Sequence, residues 1–133
     1  MPFVRISLIR GKPPAWVRAV SDAVHQALVE AFAIPPADRF QAIHQHEPEE
    51  LIFDRDYFGG PRSGDFALVC VTGGKARDAG AKAAFYRRLA GLLAASPGLR
   101  PQDLMVIVQT TGMEDWSFSD GIPAPEALTG ATP

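Results

Sequence analysis

The chain repeats itself, and the repeat restricts its fold more than any other feature does. FVRISLI, from Phe3 to Ile9, has the apolar content of a strand, and LIRGK leads from it to the Pro13-Pro14 pair. Proline is tolerated there because first-turn N–H groups of a helix have no helical partner. Trp16, Val17, Val20, Ala23, Val24, Ala27, Leu28, Ala31 and Phe32 then recur at helical spacing and predict a helix with one buried face. Ile34-Pro35-Pro36 ends it, since a residue before proline is pushed out of helical geometry, and a strand follows over about Arg39 to His46. The second half runs through the same plan. DFALVCVT reads as strand, GGKARD as turn, the stretch carrying Ala81, Ala84, Phe85, Leu89, Leu92 and Leu93 as an amphipathic helix, and LMVIVQT as strand. Even local residues correspond: VTGGK answers LIRGK, and PQDLMVIV answers PADRFQAI.

Two strand–helix–strand copies, about 2–46 and 65–110 within one domain of 1–133, predict an α/β fold of the α+β kind. In each copy the strands should lie parallel, joined by a right-handed crossover, giving together a four-stranded sheet with two helices on one face. Between the copies, HEPEELIFDRDYFGGPRSG is rich in Gly, Pro and charge and reads as a connection or short hairpin. The stretch after Gly121 reads as a loop-like tail resting on a neighbouring subunit.

A sheet covered by helices on one side leaves the other side open. LMVIVQ and FALVCV are almost continuously apolar, a pattern of strands buried on both faces, so an obligate oligomer is expected, with a homotrimer as the closed form. The 133 residues carry a net charge of −2 and no basic tract, which argues against nucleic acid as a partner. The apolar runs are too short for a membrane span, and the first residues lack the pattern of a signal peptide, so a cytoplasmic protein is expected. Cys70 is the single cysteine, which rules out an internal disulfide; in its apolar run it reads as a buried, inert thiol.

Candidate chemistry centres on the ends of these elements. Pro2 fits two readings. It is either a tolerated strand start or, once Met1 is cleaved, a free secondary amine able to act as base, acid or nucleophile. Asp38 and Asp103 stand at equivalent points of the two halves and read as turn-capping aspartates. Lys75 and Arg77 precede the second helix, where cations add to the positive helix end and attract a carboxylate. Trp116 and Phe118, in WSFSDG after the last strand, wall either a pocket or an interface. His44 and His46 share one strand face, a spacing open to two metal ligands, but no third ligand has convincing spacing and no metal is expected. His25 reads as a packed or solvent-edge histidine.

Taken together, Pro2 at the head of a strand, the duplicated units and the WSF motif resemble the tautomerase superfamily. PPADRFQAIHQH, the KAR segment, WSF and the closing Leu128-Thr129-Gly130 are most similar to its malonate semialdehyde decarboxylase branch, over almost the whole chain. The resemblance implies a cofactor-independent enzyme acting on a small oxo acid, with Pro2 as catalytic amine, Asp38 as catalytic aspartate, and Lys75, Arg77, Trp116 and Phe118 around the substrate. Lys75 stands where that branch carries an arginine, which keeps the charge but loses the planar fork that grips a carboxylate. An ordinary α-amino group titrates near ~8, and a carboxylate beside it favours the cationic acid suited to decarboxylation over the neutral base suited to tautomerisation. Tautomerase or hydratase activity on another oxo acid, or a catalytically silent trimeric binding module, are the other functions open to such a chain.

Overall fold

Both repeats fold as strand, helix, strand in the computed structural model, which describes residues 1–130. The first contains β1 (Pro2–Ile9), α1 (Pro14–Phe32) and β2 (Phe40–His46); the second contains β3 (Ala67–Gly73), α2 (Ala79–Ala95) and β4 (Leu104–Thr110). One sheet results, in the order β2-β1-β3-β4. Within each repeat the strands are parallel, while β1 and β3, the first strands of the two copies, pair antiparallel at the centre. The two copies thus lie head to tail in one sheet, with α1 packed on α2.

The alternation along β1 decides which face carries the core. Val4, Ile6 and Leu8 are buried beneath the helices together with Val69 and Val71 of β3. Against them α1 sets Val20, Val24 and Leu28, and α2 sets Phe85, Leu89 and Leu93. Each fully buried side chain of this size is worth roughly 1.5–3 kcal/mol, so this layer supplies the main drive to fold.

Register places Phe3 opposite Phe40 and Thr72, and Cys70 opposite Ile107, so Phe3, Arg5, Phe40, His44, Cys70, Met105 and Ile107 share the second face. No element covers that face among the described residues: Phe40 is 56% exposed, Met105 43% and Ile107 40%. The burial on both faces expected for β3 and β4 is therefore not reached within one chain.

Two expectations are corrected. The connection after β2 forms no hairpin; it makes a short 3-10 turn at Pro48–Glu50 and then an irregular loop held by Arg62, whose Nη1 donates to the carbonyls of Asp54 and Tyr57 at 2.9 and 2.8 Å. The tail is not loop-like either. It forms α3 (Ala124–Gly130), anchored by buried Ala124, whose N–H donates to the Trp116 carbonyl at 2.8 Å. The last three residues of the expected domain lie outside the described residues. Among those described, no helix is long and apolar enough to cross a membrane.

Candidate active site

Strand register alone brings the ends of three segments together. Pro2 opens β1 and pairs across the sheet with Gly73, the last residue of β3, so the loop carrying Lys75 and Arg77 begins beside it. On its other side Phe3 pairs in parallel with Phe40, which sets the turn carrying Asp38 at the same end of the sheet. At this end of the sheet lies a small cleft lined by Pro2, Phe32, Lys75, Arg77, Lys82 and Gln109, among others, and Asp38 is not one of its lining residues.

The turn bearing Asp38 is fixed from both sides. His25 Nε2 donates to the Pro36 carbonyl at 2.8 Å, and Arg39 Nη2 donates to Asp22 Oδ1 at 2.6 Å and Ser21 Oγ at 2.8 Å. His25, half-buried at the edge of α1, is thus a brace for this turn, in line with its reading as a packed or solvent-edge histidine. The Asp38 carboxylate does not cap its turn. Its Oδ2 lies 3.2 Å from the Met1 ammonium nitrogen, an ion pair whose carboxylate is only 11% exposed.

Arg77 takes a direction that its place before α2 did not foretell. The N-cap of α2 is Asp78, whose carboxylate accepts from the Ala81 N–H at 2.8 Å, while Arg77 turns back to α1. Its Nη2 donates to the Phe32 carbonyl at 3.2 Å and its Nη1 to the Lys75 carbonyl at 2.9 Å. Burial pulls the Arg77 pKa below the usual guanidinium value, and the negative charge of Asp38 works against that pull. Asp38 therefore stands in the field of two cations, the N-terminal amine and Arg77. Lys75 also lines the cleft but is exposed, and its carbonyl is what steadies Arg77.

Trp116 and Phe118 stack on each other at 5.8 Å between ring centroids, yet neither lines the cleft around Pro2. Trp116 Nε1 donates to Thr111 Oγ1 at 2.6 Å, and the indole lies over the backbone of Gly74, where an added Cβ would come within 3.1 Å of Nε1. The pair thus stands next to the loop that carries Lys75. Asp103, the counterpart of Asp38, is fully buried and caps nothing of its own; it accepts from the Ser63 N–H at 2.5 Å, Ser63 Oγ at 2.7 Å and Arg100 Nε at 3.2 Å. Cys70 is half-buried on the uncovered face, where burial raises its thiol pKa and Arg5 opposes the rise. His44 and His46 stack on that face too, and Arg5 Nη1 lies 3.4 Å from His44 Nε2. No group of three or more His, Cys, Asp or Glu able to hold a metal occurs among the described residues. Lys82 and Gln109 line the cleft with no sequence signal that marks them, and Phe32 was legible only as core.

Comparison with known proteins identifies the family. A family model described as tautomerase enzyme matches residues 38–119, and a second of the same description matches residues 2–59. Two relatives from Bacillus subtilis (strain 168) are named probable tautomerases: YrdN, 34% identical over 98% of this chain and 98% of its own, and YusQ, 32% identical over 91% and 95%. A malonate semialdehyde decarboxylase solved in wild-type, mutant and inactivated forms superposes with a TM-score of 0.88 at 33% identity, covering 98% of this chain and 99% of that one. A second such decarboxylase, inhibited by 3-bromopropiolate, gives 0.87 at 31% identity, over 98% and 97%. The chain belongs to the tautomerase superfamily of enzymes, in the branch that resembles malonate semialdehyde decarboxylase.

Proposed function

We propose that the enzyme decarboxylates a small 3-oxo acid such as malonate semialdehyde without a cofactor, using the Pro2 amine after Met1 is removed. The observation that carries this reading is the Met1–Asp38 ion pair at the end of the sheet where Arg77 also lies. While Met1 remains, the Pro2 nitrogen is an amide. Its removal would move the terminal cation one residue along, onto the secondary amine at the head of β1, with Asp38 still close by.

Decarboxylation breaks the bond between C1 and C2 of the 3-oxo acid, and its electron pair becomes the C2–C3 double bond of an enolate. The cost lies in the negative charge arriving on the carbonyl oxygen. A protonated Pro2 amine offers that oxygen a charge-assisted hydrogen bond; in the other route the neutral amine condenses with the aldehyde, losing water, to an iminium that draws the electrons more strongly and is hydrolysed once C2 has been protonated. Arg77, with Lys75 beside it, would hold the leaving carboxylate so that its bond stands across the carbonyl plane. Asp38 would position the amine, and a proton delivered to C2 completes the aldehyde. Trp116 and Phe118, next to the Lys75 loop, would shield the cleft from water.

A second reading has support of its own. The relatives are named probable tautomerases, and the solved decarboxylase is described with hydratase as well as decarboxylase activity. The same amine, carboxylate and cations serve either reaction. We also read the enzyme as a homotrimer: its uncovered sheet face is apolar in part, and structures at 11–23% identity that share its fold include symmetric trimers.

The test begins with intact mass, which reports Met1 removal, followed by carbon dioxide and acetaldehyde release from 3-oxopropanoate. Pro2→Ala, Asp38→Asn and Arg77→Ala should each lower kcat/KM by about a hundredfold or more. Lys75→Arg should preserve or improve turnover, because a guanidinium makes paired bonds to a carboxylate. No release by processed wild type would sink the decarboxylase reading and leave enol–keto conversion of small oxo acids as the reaction to assay.

A further inference from the structure

A helix end leaves its last carbonyls without helical partners, and α1 ends under an unusual constraint. Its C-cap, Ala33, adopts the left-handed conformation with φ 54° and ψ 36°, so the chain turns away at once and the Phe32 carbonyl is left facing outward. Arg77 fills that vacancy with Nη2 at 3.2 Å, while Nη1 reaches the Lys75 carbonyl at 2.9 Å. The guanidinium carbon also lies 4.8 Å from the centroid of the Phe32 ring. The ring cannot yield, being only 6% exposed and braced by Phe85 with centroids 5.0 Å apart. Two hydrogen bonds from the guanidinium edge and one contact on its face define a plane.

From this geometry we infer that Phe32 is a positioning residue, which fixes the plane of the Arg77 guanidinium before a substrate carboxylate arrives. Two of the five guanidinium N–H groups are taken up by the carbonyls, which leaves three for the carboxylate. The negative end of the α1 dipole favours the cation at this spot, and the ring face adds a cation–π attraction. Ordering the fork is thereby accomplished on folding and not on binding. The segment from Phe32 leads directly to Asp38, whose turn His25 braces, so one stretch of chain sets both the anion clamp and the carboxylate. The inference rests on the reading of Arg77 as carboxylate holder under Proposed function.

Its test uses the processed full-length protein, with malonate as a carboxylate probe by calorimetry and 3-oxopropanoate for kinetics. Phe32→Leu should raise the malonate Kd and the KM together by about tenfold, with kcat changed much less, and Phe32→Tyr should restore both to within about twofold because the ring face returns. Leu93→Ala removes core packing at the end of α2 far from Arg77, so it should lower Tm comparably and leave the malonate Kd within about twofold. If Phe32→Leu fails to fold, Phe32→Met carries the same expectation. Unchanged malonate affinity in the Phe32 variants, while Arg77→Ala still weakens it, overturns the inference and leaves the decarboxylase reading standing. An equal loss in Leu93→Ala overturns it too, since general loosening would then explain the effect. Malonate bound equally well by Arg77→Ala overturns the carboxylate-holder reading itself.

Discussion

A carboxylate sealed from water stays ionised only where donors stand in for the lost solvent. Asp103 meets that requirement. Burial by itself would raise its pKa, but the N–H and hydroxyl of Ser63 and the guanidinium of Arg100 outweigh it and hold the group below the ordinary value. A depressed folded pKa adds stability that is present above the unfolded value near ~3.9 and is lost as pH falls through the folded one. Asp103→Asn should therefore cost about 2 kcal/mol at neutral pH, and the gap to wild type should narrow below about pH 4, measured by urea unfolding at both pH values. An unchanged gap at pH 3 would show that the charge is not what matters. Its equivalence to Asp38 in the repeat correctly marked a polar position at the start of each later strand, yet the two serve different ends. Asp38 reaches the N-terminus and Asp103 staples the loop around Ser63, because what surrounds each turn comes from segments far away in sequence. The same limit applies to Arg77. Its charge and spacing were legible, but its direction was not, since the Phe32 carbonyl that receives it lies 45 residues upstream and leaves no local pattern.

Among the elements, the end of α1 carries the clearest strain. A left-handed Ala33 costs roughly 1–2 kcal/mol relative to glycine in the folded chain, and glycine returns roughly 0.5–1 kcal/mol of that through the greater freedom of the unfolded chain. Ala33→Gly should therefore stabilise the protein by about 0.5 kcal/mol, a rise of about 2 °C in Tm by calorimetry. A fall in Tm would mean that the methyl group of Ala33 makes a packing contact worth more than the strain. The regular elements were the part of the fold most open to sequence reading. β4 was expected at LMVIVQT and is found at Leu104–Thr110; α1 was expected from the Pro13-Pro14 pair and begins at Pro14. Apolar periodicity reports which face of an element meets the core, and proline reports where a helix starts or stops. Neither reports how elements of different repeats meet, so the antiparallel pairing of β1 with β3 had no local signature. Nor did α3, whose seven residues are too few to be stable alone and which depends on the tie from Ala124 to Trp116.

For the whole molecule, the question is what covers the second sheet face and the two open edges. β2 and β4 end the sheet, so each carries unpaired backbone groups along one side. Beside β4 lies a largely apolar groove of about 750 Å³, lined by Ile52, Phe58, Tyr86, Leu104 and Met105 among others, and it shares no residue with the cleft at Pro2. Phe58 stands 91% exposed at its rim, and few polar groups converge inside, so the groove has the character of an assembly surface more than of a reaction site. A closed ring of three chains would cover groove, edges and sheet face together, which is the homotrimer proposed above. Ile107 is the sharpest probe because it projects from β4 onto the uncovered face and supports no part of the core. Ile107→Lys should leave the protomer folded, as an exposed lysine costs a lone chain little, but in the ring each copy would bury an unpaired charge at a cost on the order of 3 kcal/mol. Light scattering should then show three chain masses for wild type and one for Ile107→Lys at micromolar concentration, with the circular dichroism of the variant retaining its helix and strand signal. A trimer that persists in Ile107→Lys would place this face outside the interface, and a wild type that is monomeric at that concentration would remove the trimer altogether.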